Sequence, residues 1–257
     1  MAIIKEMQAD SLKVIVADSR DAMGQEAARR AGECIRALLA EKDEINMIFA
    51  AAPSQNETLK YLMQEEGIDW SRVNAFHMDE YVGLSREAPQ SFGRYLYEHV
   101  FSHLPFKCVN YLRGDAPDAE AECERYSALL RENPVDVVML GIGENAHIAF
   151  NDPWVADFND PALVKRVPLD PVCRQQQVND GCFASLDLVP EYAFSLTIPA
   201  LTNAGHMFCT VPAATKRSAV TLTVTGKVGA DVPATAMRSH ADATMVCDPD
   251  SAADLLA

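Results

Sequence analysis

Hydrophobic and polar positions along the chain fall into two alternating periods. Residues 12–19, LKVIVADS, form an apolar, β-branched run of strand length. Met23, Ala27, Ala31, Cys34, Ile35, Leu38 and Leu39 then follow at helical spacing, with Asp18 and Ser19 placed to cap that helix. The alternation repeats. Residues 45–54 predict a second buried strand, with a helix opening near Ser54 and carrying Leu59 and Leu62. Residues 73–80 predict a third strand, and residues 91–104 and 119–132 predict helices. Residues 135–143 predict a strand ending in a glycine turn; residues 192–201, 206–212 and 243–248 predict later strands, with a helix after Ala213. Alternation of this kind predicts an α/β fold with a mostly parallel sheet covered on both faces. The stretch from Asn151 to Gly181, rich in Asp and Pro, breaks the pattern and is expected to be a long irregular excursion, of the kind that often serves as a lid. No repeat or linker divides the chain, so residues 1–257 are expected to form a single domain.

Composition narrows the classes. A hydrophobic content of 49% suffices for a packed core, and no run reaches the roughly 18 apolar residues of a membrane span. The start, MAIIKEMQADSLK, lacks the basic and apolar regions of a secretory signal. The seven cysteines are scattered without CxxC spacing, which fits reduced thiols in a cytoplasmic protein. The net charge of −15 opposes binding to nucleic acid or an acidic membrane surface. A small anionic substrate stays compatible with it if cations are focused locally. The histidines are not read as a metal site, and neither a GxSxG elbow nor a phosphate-binding Walker loop occurs.

In open α/β sheets ligands gather at the carboxyl ends of the strands, and three segments there carry chemistry. The turn AAAPSQNET offers backbone N–H groups at a helix start, with Ser54, Gln55 and Asn56 as further donors, an arrangement suited to phosphate or to ordinary helix capping. HMDEYVGL places Asp79 and Glu80 where a buried strand meets solvent. Side chains alternate along a strand, so one carboxylate is expected to face a site and the other a structural partner. GIGENAHIAFNDP follows a strand with Gly141 and Gly143 in a tight turn and sets His147 between Glu144 and Asp152. There a carboxylate on one ring nitrogen would fix the tautomer and raise basicity.

Together, HMDEYVGL, GIGENAHIAFNDP, and SLTIPAL followed by VPAATK resemble the glucosamine-6-phosphate deaminase (isomerase) family along most of the chain. The resemblance implies a modified Rossmann-like, three-layer α/β/α sandwich. It also implies conversion of glucosamine 6-phosphate and water to fructose 6-phosphate and ammonia, without metal or organic cofactor. On that resemblance His147 opens the pyranose ring, Asp79 is the base at C2, and Asp152, Glu144 and Asn145 support the histidine. Ser54, Gln55, Asn56, Glu80, Gly143, Ala146 and Lys216 would line the substrate site, and the partner would be a small phosphorylated amino sugar.

The departures from the family pattern are specific. The Gly-Ser-Thr-Pro phosphate turn is here Ala52-Pro53-Ser54-Gln55; the Asp two residues before the histidine is Asn145, and the next Gly is Ala146. Gly181 stands where an arginine is usual, and Arg238 is expected to replace it, ahead of Arg217 and Arg174. No counterpart of the allosteric sugar-phosphate site of some members is evident. Two other readings stay open. One is 6-phosphogluconolactonase, which typically has Asp-Glu-Arg where this chain has Asp79-Glu80-Tyr81. The other is a catalytically silent sugar-phosphate-binding protein. Oligomeric state is open, a homo-oligomer included.

Overall fold

The computed structural model describes residues 2–179 and 181–257, the side chains of Val172, Cys173 and Gln176 excepted. Cys173, one of the scattered thiols, therefore lies outside the described side chains. The chain opens with β1 (Ile3–Ala9), which turns at Asp10 into β2 (Leu12–Ala17) and α1 (Arg20–Glu41). β3 (Ile45–Phe49), α2 (Asn56–Leu62), β4 (Val73–His77), β5 (Asp79–Tyr81), α3 (Phe92–Leu96) and β6 (Cys108–Asn110) follow. Then come α4 (Ala119–Glu132), β7 (Val137–Leu140), β8 (Val164–Pro168), α5 (Pro171–Asn179), β9 (Tyr192–Leu196) and α6 (Ile198–Thr202). The last elements are β10 (His206–Val211), α7 (Arg217–Thr225), β11 (Ala243–Cys247) and α8 (Ala253–Leu256).

Eight strands form the main sheet in the order β1-β2-β11-β10-β7-β3-β4-β6. Every pairing is parallel except the β1–β2 hairpin. Alternate residues of the central strands go to opposite faces. Val137 and Met139 of β7 pack with α1, α2 and α3, while Val138 and Leu140 pack with α4, α6, α7 and α8. This is the expected three-layer sandwich, and burial on both faces is why these strands read as continuous apolar runs. β1 adds to the predicted elements: IIKEMQA breaks its apolar positions with Lys5, Glu6 and Gln8 because it is a largely exposed edge strand. Among the described residues no helix is long and apolar enough to cross a membrane.

Three expectations are corrected. The run 73–80 is two strands: the chain leaves the parallel sheet at Met78, and β5 enters a second, antiparallel sheet of order β5-β9-β8. The run 192–201 ends as a strand at Leu196, because Thr197 Oγ1 accepts the Ala200 N–H and Pro199 sits in the first turn of α6. The excursion from Asn151 to Gly181 is not wholly irregular, since it contains β8 and α5. β8 was hidden because in VKRVP only Val164 and Val167 are buried, three residues apart, and Lys165 and Arg166 between them are charged, so no apolar run or alternation marks it.

The sheet order also locates the site. After β3 the chain builds outward through β4 and β6, then returns to β7 on the other side of β3. The strand order thus reverses between β3 and β7, the position where open α/β sheets bind ligands.

Candidate active site

A cavity of about 480 Å³ opens at this reversal. Its walls include residues 50–54 after β3, Met78 and Asp79 after β4, Gly141, Ile142, Gly143 and His147 after β7, and Pro212, Ala213, Thr215 and Lys216 after β10. Pro89, Gln90, Ser91, Phe92 and Tyr95 come from the segment before and within α3, Gln177 and Gly181 from the excursion, and Cys182 from the residue after it. Asp79 and His147, from distant parts of the sequence, are therefore on one cavity wall system.

The histidine turn is built by short-range bonds. The His147 N–H donates to Asn145 Oδ1 at 3.1 Å, and the Gly143 N–H donates to His147 O at 2.9 Å. His147 Nδ1 lies 3.1 Å from Asp152 Oδ1, which also accepts the Asn145 amide at 2.8 Å. Asp152 is fully buried. Burial alone would raise its pKa, but the bonds from His147 and Asn145, and from the Asp170 backbone, outweigh it and hold the carboxyl below its usual value. An ionised Asp152 makes Nδ1 the protonated nitrogen and leaves Nε2 as the group for proton exchange. Gly143 is required by this ring: a Cβ there would lie 2.1 Å from His147 Cε1.

Asp79 is buried at the start of β5. Desolvation, reinforced by the neighbouring Glu80 charge, pushes its pKa well above the ordinary carboxylate value. Its backbone is held by His77, whose Nδ1 donates to Asp79 O at 2.8 Å while Nε2 accepts the Leu112 N–H at 2.9 Å. Full burial lowers the His77 pKa to about 4, so the ring stays neutral and serves as a brace. Glu80 points the other way, as strand alternation requires, and accepts the N–H groups of Tyr81, Phe92 and Gly93. Burial raises its pKa to about 7 against the lowering effect of those bonds.

Several sequence-derived site residues do not line the cavity. Gln55 is buried and exchanges bonds with Thr210, tying the β3 turn to β10. Asn56 bonds the Tyr95 hydroxyl. Glu80 caps α3, and Ala146 packs in the core at φ 64°, with its carbonyl on the Ala234 N–H. Glu144, Asn145 and Asp152 are outside the lining, and Asp152 contacts both Asn145 and His147. Arg238 is a clear correction: its guanidinium pairs with Asp10 at 2.6 Å and donates to Gly226 O, away from the cavity. The other two arginine candidates are also engaged elsewhere, Arg217 with Asp254 and Arg174 with the Leu186 and Val189 carbonyls.

The cationic side chains on the wall, among the described residues, are Lys216 and one the sequence reading missed, Arg20. Nothing in DSRDAMG marks Arg20 as functional; only the fold brings the first residue of α1 beside the β3 turn. His99 and His103 stand four residues apart, a possible metal spacing, but their ring nitrogens bond the Tyr95 and Glu98 carbonyls. Among the described residues no group of three or more His, Cys, Asp or Glu side chains is placed to hold a metal ion.

Comparison with known proteins gives a consistent set of likenesses. A family profile described as glucosamine-6-phosphate isomerases/6-phosphogluconolactonase matches residues 18–153. The glucosamine-6-phosphate deaminase of Listeria monocytogenes serotype 4a (strain HCC23) is 35% identical over 209 residues, covering 81% of this chain and 87% of that protein. Its namesake from Streptococcus gordonii is 34% identical over 226 residues, covering 88% and 93%. Among solved structures, a monomeric glucosamine-6-phosphate deaminase superposes with a TM-score of 0.85 at 28% identity, over 96% of this chain and 99% of that one. The 6-phosphogluconolactonase of Thermotoga maritima shares the fold with a TM-score of 0.74 at 19% identity, over 92% and 99%.

Proposed function

This chain belongs to the glucosamine-6-phosphate isomerase/6-phosphogluconolactonase family, and on that premise we propose that it deaminates and isomerises glucosamine 6-phosphate, giving fructose 6-phosphate and ammonia. One observation carries the reading: Asp79 and His147 face the same cavity, each with its own support.

The chemistry divides between them. His147, with Nδ1 directed at Asp152, exchanges a proton with the ring oxygen through Nε2, and the pyranose opens to the C1 aldehyde. The aldehyde acidifies the C2 proton. Asp79, partly desolvated and therefore more basic than a solvated carboxylate, removes that proton and returns it to C1. C2 becomes an imine, and water adds there to release ammonia and leave the ketone. Asp152 and Asn145 are positioning residues. Ser54, Thr215 and Lys216 lie on the wall fed by the β3 and β10 turns, and they are assigned to the phosphate.

The test is an ammonia-release assay over glucosamine 6-phosphate, its galacto epimer and 6-phosphogluconolactone, for the native protein and Asp79→Asn. Ammonia from a hexosamine 6-phosphate, reduced about 10³-fold or more in the variant, is expected for loss of an essential base. Lactone hydrolysis that survives in Asp79→Asn, without ammonia from any sugar, would replace this reading with a lactonase. Ligand-induced stabilisation with neither product would replace it with a binding protein.

A further inference from the structure

We infer that Arg20 is the guanidinium that recognises the substrate's phosphate, in place of the arginine that Gly181 does not supply. The inference deepens the functional reading above and rests on it for the identity of the phosphorylated ligand.

α1 carries Gly24 and Gly32 on the side of the following segment; Gly24 is needed for its approach, whereas Gly32 faces only the movable Glu65 side chain. A Cβ on Gly24 would lie 2.4 Å from Glu57 Cβ and 2.8 Å from Glu57 C, and one on Gly32 would lie 2.7 Å from Glu65 Oε2. This close packing brings the first turn of α1 against the turn after β3. Arg20 there donates from Nε to Glu57 Oε1 at 2.9 Å and from Nη2 to Pro53 O at 2.9 Å. Two anchors fix the plane of a side chain that would otherwise lose considerable rotamer freedom on binding. With Nε and one Nη2 hydrogen engaged, the remaining N–H groups of the fork are available on the cavity wall that Arg20 helps to form.

The opposite flank of the same turn is also fixed. Gln55 bonds Thr210 Oγ1 at 3.0 Å, and the chain runs from there through Val211 to the turn that carries Thr215 and Lys216. Residues 52–54 thus lie between an arginine anchored on Pro53 and a lysine entering from β10. A phosphate dianion in a protein of net charge −15 needs local cations, and a planar fork lining the same cavity as an ammonium gives both direction and charge. Glu57 neutralises part of the Arg20 charge when the cavity is empty and holds the fork in place.

The experiment compares Arg20→Ala, Arg20→Lys and the exposed control Arg131→Ala. It measures KM and kcat for glucosamine 6-phosphate, competitive inhibition by inorganic phosphate, and, by calorimetry, affinity for glucosamine 6-phosphate against glucosamine. Arg20→Ala is expected to raise KM and the phosphate inhibition constant together by about 10–100-fold, the loss expected of a charged hydrogen bond. The fall in kcat should be smaller, and Arg20→Lys should recover only part of the affinity. If the native protein releases no ammonia, the calorimetric arm decides: a preference for the phosphorylated sugar that collapses in Arg20→Ala supports the role of Arg20 even as the deaminase reading fails. Unchanged KM, phosphate inhibition and sugar-phosphate preference in a folded Arg20→Ala variant would overturn the inference. So would a native protein that does not distinguish glucosamine 6-phosphate from glucosamine.

Discussion

The imidazole of His147 occupies the space that a side chain on Gly143 would need: a Cβ built there falls 2.1 Å from Cε1, 2.3 Å from Nδ1 and 2.4 Å from Nε2. The clash is with a ring that can rotate, not with backbone. Gly143→Ala is therefore expected to fold, with His147 displaced from Asp152 and from the cavity. A misplacement of about 1 Å in a reacting group costs on the order of 10²-fold in rate. The variant should lose about that much in kcat with a native-like circular dichroism spectrum. Near-native kcat would show that the ring does not need its present seat.

Asp152 tests the same histidine from the other side. Asp152→Asn keeps the shape but removes the charge that faces Nδ1, and the amide can present its NH₂ to the ring. The tautomer preference is lost or reversed. Loss of such an orienting partner costs about 10–100-fold, expected in kcat with little change in KM. The carboxyl also contributes to stability. Its folded pKa is depressed, so its contribution is present above the unfolded carboxylate value and is lost as pH falls through the folded one. In a melting series toward acid the native protein should therefore lose more stability than the variant.

Glu80 gives the opposite sign. Its folded pKa is raised to about 7 by burial, against an unperturbed value of about 4.3. The folded state then holds a proton that the unfolded chain has already released. The corresponding stability is present below the unfolded pKa and declines from about pH 4.3 to about 7. Glu80→Gln removes the titration while keeping a carbonyl acceptor near the Phe92 and Gly93 N–H groups. The slope of Tm against pH in that window should become flatter in the variant. It should also lower the pKa of Asp79 by removing a like charge, which moves the acid limb of kcat/KM to lower pH. An unaltered slope would mean that Glu80 titrates in the folded protein as it does in the unfolded chain, and an unaltered limb would mean that its charge does not act on Asp79.

These residues also show how much the sequence could disclose. The mostly parallel sheet covered on both faces followed from apolar runs that alternate with helical spacing, because strands buried on both faces leave that pattern. Asp79 and His147 stood out because each ends such a run beside glycine or a second acid. What stayed hidden depended on contacts between distant segments. Arg20 is an ordinary first-turn residue until Gly24 and Glu57 bring α1 against the β3 turn. Arg238 was a reasonable substitute by charge alone, yet Asp10, more than two hundred residues earlier in the chain, claims it. Gln55 and Glu80 are polar residues at the right strand ends, but their hydrogen bonds are spent on Thr210 and on α3. Spacing along the chain reports which residues can share an element, and it does not report which polar group has already been satisfied.

Ala213 offers a test of strain at the phosphate-side turn. Its φ of 81° and ψ of 147° lie in a region that glycine occupies and alanine avoids. Such a residue costs of order 1–3 kcal/mol, while replacing it by glycine gives the unfolded chain about 0.5–1 kcal/mol of extra entropy. The side chain is half-buried, so little packing is lost. The balance favours Ala213→Gly by roughly 1 kcal/mol, or about 2–4 °C in Tm for a chain of this size. The conformation itself should survive the change, because Asp248 clamps the turn. Oδ2 accepts the Ala213 N–H at 2.9 Å, Oδ1 accepts the Ser251 N–H at 2.8 Å, and Ser251 Oγ donates to Val211 O at 2.5 Å. KM for the sugar phosphate should therefore stay unchanged while Tm rises. A fall in Tm would show that the alanine is not strained there, and a higher KM at raised Tm would show that the methyl group, and not the Asp248 clamp, holds Thr215 and Lys216 in position.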